Sequence, residues 1–278
     1  MRAAWPAFSA EKAVAFAVAV APAVWLAGLA CDGGLGVRPI HEAIRFSGDW
    51  GLRLFWLTLL VSPARRILSA PRLIRARRIL GLGTFVLTAL HVGLYAFDQQ
   101  FDWGRIGLEI VLRVYLAIGA VATVALAALA ATSNDGAVAR LGSRGWNRLH
   151  RFVYAAAALS AVHFLLRSRT DTFEPMLMLG LLAWLMGFRL IHRLAGPVTT
   201  GRLTALALAA AALTAGAEAA WHAAATGVDW RRLLAAHLDI AYGLRPAWWV
   251  LIAGAAAAMA GAWCMPGRPR HGLHAPAG

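Results

Sequence analysis

Apolar runs of about twenty residues recur along the whole chain, and that recurrence leaves few folds open. Such a run is what an α-helix needs to cross a hydrocarbon layer of ~30 Å at ~1.5 Å per residue. Inside lipid every backbone N–H and C=O must be satisfied within the protein, so these runs form helices. Eight spans are predicted, at about 12–30, 52–62, 79–97, 111–131, 150–167, 175–194, 203–225 and 247–265. The second is the weakest, because Gly48 to Ser62 barely reaches spanning length. Only 14% of the residues are charged, against about 25% in a soluble domain. The fold class is all-α: a polytopic transmembrane helix bundle.

The net charge of +14 would suggest nucleic acid in a soluble protein. Its distribution excludes that class. The N-terminus, segments 63–78, 132–151 and 189–202, and the tail from 266 hold 17 Lys/Arg and two acids, Glu11 and Asp135. The opposite loops hold ten Lys/Arg and ten acids, and Glu218 falls inside a span. Positive charge concentrates on the cytoplasmic side of membrane proteins, so both termini are expected in the cytoplasm. The basic surface would add attraction to anionic lipid.

Cys31 and Cys264 fall on opposite sides in this topology and cannot pair. There is no CxxC, zinc spacing or CxxCH, so any haem would be held noncovalently. The N-terminus has some features of a signal peptide. Its apolar stretch is long for one, and an uncleaved first span is expected. Residues 1–195 read as the functional unit. An added helix pair follows over 196–265, set off by Gly196-Pro197 and dominated at first by alanine and leucine. The tail 266–278 has the composition of a disordered segment.

Chemistry is expected where histidines fall inside spans. His91 lies in Thr88-Ala89-Leu90-His91-Val92-Gly93, where Gly93 keeps one flank small enough for a planar macrocycle. His163 lies in Leu159-Ser160-Ala161-Val162-His163-Phe164. Both spans follow an arginine cluster, so the two helices are expected to run parallel. His91 then lies ~18 Å beyond Ile79 and His163 ~20 Å beyond His150. Two imidazoles at matched depth could grip one metal, and in a bilayer a haem iron is the expected one. The alternative for each is a histidine hydrogen-bonded to a neighbouring helix.

His150, at the inner boundary, suits a second haem stacked towards the cytoplasm. On an ideal helix its ring points about 140° away from that of His163. At matching depth on the other helix stands Arg77, a poor iron ligand and a good partner for a haem propionate or a flavin phosphate. The run Arg72-Leu73-Ile74-Arg75-Ala76-Arg77-Arg78 marks topology. Arg75, Arg77 and Arg78 are also candidates for binding a propionate or phosphate, or for docking an acidic partner. Glu218 is a weaker candidate for a proton path. His41, His222, His237, His271 and His274 are assigned nothing, and His192 is read as a helix end. No GxGxxG or Walker loop is present, so a Rossmann unit for NAD(P)H is excluded.

Three stretches carry a family resemblance: Leu73 to Leu82; His91 with Tyr95; and Trp146-Asn147-Arg148-Leu149-His150-Arg151-Phe152-Val153-Tyr154 followed by His163. Gly33-Gly34-Leu35-Gly36 and Phe46-Ser47-Gly48 also fit. Over about 20–195 the chain resembles the MsrQ (YedZ) haem-binding membrane subunits of the periplasmic methionine sulfoxide reductase system, within the ferric-reductase-like transmembrane family. The resemblance implies a six-helix core, here with two extra C-terminal helices, holding b-type haem, one or two. It implies His91, His150 and His163 as iron ligands, with Arg77 standing where related reductases place a fourth histidine. It further implies flavin mononucleotide (FMN), electrons from a cytoplasmic flavin reductase or the quinone pool, and delivery to a periplasmic molybdopterin subunit, MsrP. The expected role is electron transfer across a bacterial inner membrane. The rival readings are a ferric reductase acting on chelated iron and a haem-free transporter.

Overall fold

In the computed structural model, residues 9–168, 171–241 and 243–264 are described. They form helices α1 (Ala10–Cys31), α2 (Pro39–Ile67), α3 (Ala76–Asp98), α4 (Trp103–Leu112), α5 (Val114–Ala131), α6 (Asp135–His150), α7 (Phe152–Arg167), α8 (Phe173–Ala195), α9 (Thr200–Thr226), α10 (Trp230–Ala236) and α11 (Pro246–Cys264). A 3-10 turn, Pro71–Arg75, leads into α3. No strand occurs among the described residues. Seven segments are long and apolar enough to cross a membrane; α6 and α7 together make one of them. The protein is an all-α, multi-pass membrane protein.

The remaining expected span is α2, and it is much longer than the 52–62 read from the sequence. It has 29 residues, roughly 44 Å of helix, and starts on Pro39, whose fixed φ suits a first helical turn. Asp49 and Arg53 interrupt its apolar run. Each is matched by a residue on another helix: Asp49 lies 3.1 Å from Arg167 of α7, and Arg53 pairs with Glu174 of α8. A charge that is paired inside the bundle does not end a span, although it lowers the local hydropathy.

Two other spans divide. The 111–131 stretch breaks at Arg113, whose backbone is extended (φ −113°, ψ 106°), leaving the short α4 before the membrane-length α5. Glu109 holds Arg113 at 3.3 Å at that corner. The 150–167 stretch starts at Phe152, and His150 is the last residue of α6. α6 is itself kinked at Gly142 (φ 68°, ψ 159°). α8 ends at Gly196 as expected, and the short α10 forms in the loop between α9 and α11. The tail 266–278 lies outside the described residues.

Packing centres on α2. One of its faces joins α1 and α3 through Leu54, Val61, Leu80 and Leu87. The other joins α7, α8 and α11 through Phe55, Trp56, Leu59, Ala157, Trp184, Phe188 and Val250. The Trp56 indole N–H donates to the Met178 carbonyl at 2.9 Å. Thr58, Thr84 and Thr214 bond their own helix carbonyls four residues back, which satisfies a hydroxyl without water.

Candidate functional site

His91 of α3 and His163 of α7 come together. Their ring centroids are 6.5 Å apart and their planes are nearly perpendicular, at 83°. The matched depth read from the sequence is therefore what the bundle builds, even though 150–167 is not one helix.

Each ring is anchored in the same way. His91 Nδ1 lies 2.7 Å from the Ile44 carbonyl of α2, and His163 Nδ1 lies 2.7 Å from the Tyr115 carbonyl of α5. A carbonyl oxygen only accepts, so each Nδ1 carries the proton and each Nε2 keeps a lone pair. The carbonyl of a helical residue already accepts from the N–H four residues on, and the imidazole uses its second lone pair. The residue four on is glycine in both cases. A Cβ at Gly48 would lie 2.9 Å from His91 Nδ1, and one at Gly119 would lie 2.7 Å from His163 Nδ1. The two partner spacings along the chain are 47 and 48 residues. One device, a carbonyl laid open by a glycine one turn later, thus serves both halves of the site. The sequence reading missed Gly119, and it noted Gly48 only within Phe46-Ser47-Gly48 and as the start of the weakest span.

Charges border the pair. Arg167 sits one turn beyond His163 on the same helix face. It bonds Asp49, which adjoins Gly48, at 3.1 Å, and its guanidinium lies over the Phe164 ring at 5.5 Å.

At the arginine-rich end of the bundle a cavity of about 350 Å³ is lined by Arg77, Arg78, Thr84, Trp146, His150 and residues of α2 and α5. Arg77 and His150 do face one space, as their matched positions predict. The His150 ring stacks on Trp146 at 3.7 Å, and its Nδ1 lies 3.2 Å from the Trp146 carbonyl. Arg78 already holds Asp135 at 3.0 Å and the Ser133 carbonyl. Arg75 ends the 3-10 turn, is exposed and does not line the cavity.

Glu218 is buried and bonds Arg245 at 2.6 Å, with His237 Nε2 3.2 Å from its other oxygen. His237, to which the sequence reading assigned nothing, is also buried, and its carbonyl accepts from the Trp248 indole at 2.7 Å. This trio pins the α10 segment to α9 and α11. His222 lies 2.9 Å from the Thr172 hydroxyl.

Among the described residues no group of three or more His, Cys, Asp or Glu side chains could hold a metal ion. A metal between His91 and His163 would need its other ligands from a non-protein group, as an iron in a macrocycle has. A metal–imidazole bond of ~2.0 Å on each side, plus ~1 Å from each nitrogen to its ring centre, spans ~6 Å. The 6.5 Å observed leaves room for one metal, and with each Nδ1 engaged by a carbonyl the Nε2 lone pairs are the ones left for it. His91 and His163 would hold the iron of such a group through their Nε2 atoms, and the group would supply a one-electron couple there.

This all-α membrane bundle falls in the class of ferric-reductase-like transmembrane components. The family described as "Ferric reductase like transmembrane component" matches residues 47–161, a stretch that includes His91 and stops two residues short of His163. The chain is 39% identical over 177 residues to the protein-methionine-sulfoxide reductase heme-binding subunit MsrQ of Rhodospirillum rubrum, covering 63% of this chain and 85% of that relative. It is 41% identical over 158 residues to the MsrQ of Caulobacter vibrioides, with 56% and 75% covered. The MsrQ of Azospira oryzae is 38% identical over 188 residues, with 67% and 81% covered. The chain belongs to the MsrQ family. No solved structure matches it.

Proposed function

We propose that this protein carries electrons across a bacterial inner membrane for the repair of oxidised methionines, with a b-type haem held between Nε2 of His91 and Nε2 of His163. The observation that carries the reading is the pair of imidazoles 6.5 Å apart, each locked through Nδ1 to a backbone carbonyl. Such anchoring fixes the tautomer and orientation of a metal-binding histidine and raises its basicity. The haem, when bound, supplies a one-electron iron couple. The apolar bundle limits water around the pair, and the Asp49–Arg167 pair places charge beside it.

The arginine-rich end faces the cytoplasm in this reading, and both termini lie there. Electrons come from a cytoplasmic flavin reductase or the quinone pool and enter beside the cavity lined by Arg77, Arg78 and His150. Arg77 has no ion-pair partner among the described residues and suits a propionate or the phosphate of FMN. His150 there offers a ligand for a second haem. Electrons leave beside His91 and His163 for a periplasmic molybdopterin reductase of the MsrP type. Arg75, outside the cavity and exposed, is left to topology and to contact with an acidic donor.

Inside-out vesicles that enclose the oxidised periplasmic partner, given a flavin reductase and NADH outside, test this. The wild type should pass electrons to the partner and His91→Ala should not. Equal transfer by His91→Ala would overturn the proposal. Rapid reduction of chelated iron with no transfer to the partner would establish the ferric reductase instead.

A further inference from the structure

A second cavity at the arginine-rich end lies away from both histidine sites. It has a volume of about 390 Å³ and is walled by the end of α2, the last turns of α8 and the linker before α9. Small-molecule sites span ~300–1,000 Å³. Its walls are mostly apolar, from Ile67, Phe188 and Val198, and Arg65, Arg66 and His192 supply positive or polar character. No acidic residue lines it. The first cavity differs there, because Asp135 neutralises Arg78.

The charges of this second cavity are unanswered. Neither Arg65 nor Arg66 has an ion-pair partner among the described residues. The Nε of Arg65 is buried with no hydrogen-bond partner. A buried donor without a partner costs free energy that a ligand can recover. The neighbouring Arg189 is not available, since it bonds the Leu185 and Leu59 carbonyls and lies over the Tyr154 ring at 5.4 Å. His192 stacks parallel to Phe188, at 10°, which places a polar edge beside an apolar wall.

We infer that this cavity binds the phosphate-bearing headgroup of an anionic phospholipid, with the phosphodiester at Arg65 and Arg66 and the glycerol and upper acyl chain against Phe188, Ile67 and Val198. The ligand must be anionic, because two arginines line the cavity and no acidic residue does. It must also be amphiphilic, because the rest of the wall is apolar. The site stands at the basic end of the helices, where headgroups lie, and basic pockets between helices on that side are suited to anionic lipid. Inorganic phosphate shares the anionic chemistry and lacks the apolar part.

The test uses the purified, cofactor-loaded full chain in detergent after lipid depletion. It is titrated with phosphatidylglycerol, with phosphatidylcholine of the same chain length, and with inorganic phosphate. Bound lipid is read by native mass spectrometry, and folding by the visible spectrum. Each arginine near an anionic surface contributes roughly fivefold, so Arg65→Gln with Arg66→Gln should weaken phosphatidylglycerol binding about 30-fold. Arg65→Lys with Arg66→Lys should retain most of it. Arg140→Gln with Arg144→Gln, which removes the same charge from the exposed face of α6, should leave it unchanged. Equal binding of the two lipids by the wild type would overturn the inference, and that comparison stands if the glutamine variant fails to fold. Undiminished binding by a folded glutamine variant would also overturn it. Displacement of the lipid by inorganic phosphate at equal concentration would assign the site to free phosphate and overturn the lipid assignment.

Discussion

Replacing Gly119 by alanine should loosen the site without weakening the helix that carries it. Alanine in a helix interior is ordinarily favoured over glycine by ~0.5–1 kcal/mol, so loss of function would have to come from the added methyl. That Cβ would stand 2.7 Å from His163 Nδ1 and 2.9 Å from its Cε1. Restoring ordinary contact at 3.4 Å requires the ring to retreat by about 0.7 Å. A retreat along the hydrogen bond lengthens it from 2.7 Å to ~3.4 Å, outside the usual ~2.7–3.2 Å range. The tautomer is then no longer fixed and the ligand is less basic. Loss of such a supporting contact costs ~10–100-fold in metal affinity. Gly48→Ala asks for a smaller retreat, about 0.5 Å from 2.9 Å, and should lie at the mild end of that range. Gly28→Ala, whose Cβ meets nothing within 4 Å, is the control. Haem transfer to excess apomyoglobin measures the affinity. If Gly119→Ala and Gly48→Ala both release haem as slowly as wild type, the carbonyl anchors do not hold the ligands.

His150→Ala should slow reduction from the basic side in inside-out vesicles. Protein reduced with dithionite should still discharge to the oxidised periplasmic partner; normal loading with failed discharge would reverse the assigned direction. Glu218→Ala leaves Arg245 and His237 without their buried partner and should cost about 3 kcal/mol of stability. It should also speed proteolysis between Gly227 and Arg245, and unchanged thermal unfolding and cleavage would show that the trio adds no stability. A reporter active only outside the cytoplasm, fused after Gly278, should stay silent, and strong activity would refute the assigned topology.

Much of the bundle was legible because lipid leaves a helix little choice. A 20-residue apolar run sets its own length, and an arginine cluster sets its end. The approach of His91 and His163 could be read from depth alone, since residues at equal rise on parallel helices meet if the faces agree. The same arithmetic brought Arg77 and His150 to one cavity. The true extent of α2 was not legible. Asp49 and Arg53 look like breakers until their partners, 118 and 121 residues away, are known. The break at Arg113 was hidden inside a continuous apolar pattern. His237 resembled a loop residue because α10 folds back onto Glu218, a long-range contact that no local pattern carries. The glycine notches were hidden for a related reason: Gly119 is an ordinary small residue of a membrane helix until the ring 48 residues beyond Tyr115 is placed against it.

Haem content of the wild type, His91→Ala and His163→Ala, measured per protein in detergent, tests the central claim most directly. The account predicts haem in the wild type and loss of the same haem in each variant, with both variants still inserted in the membrane at wild-type levels. Wild-type haem content in both variants would contradict it, because the two imidazoles brought together by α3 and α7 would then hold nothing.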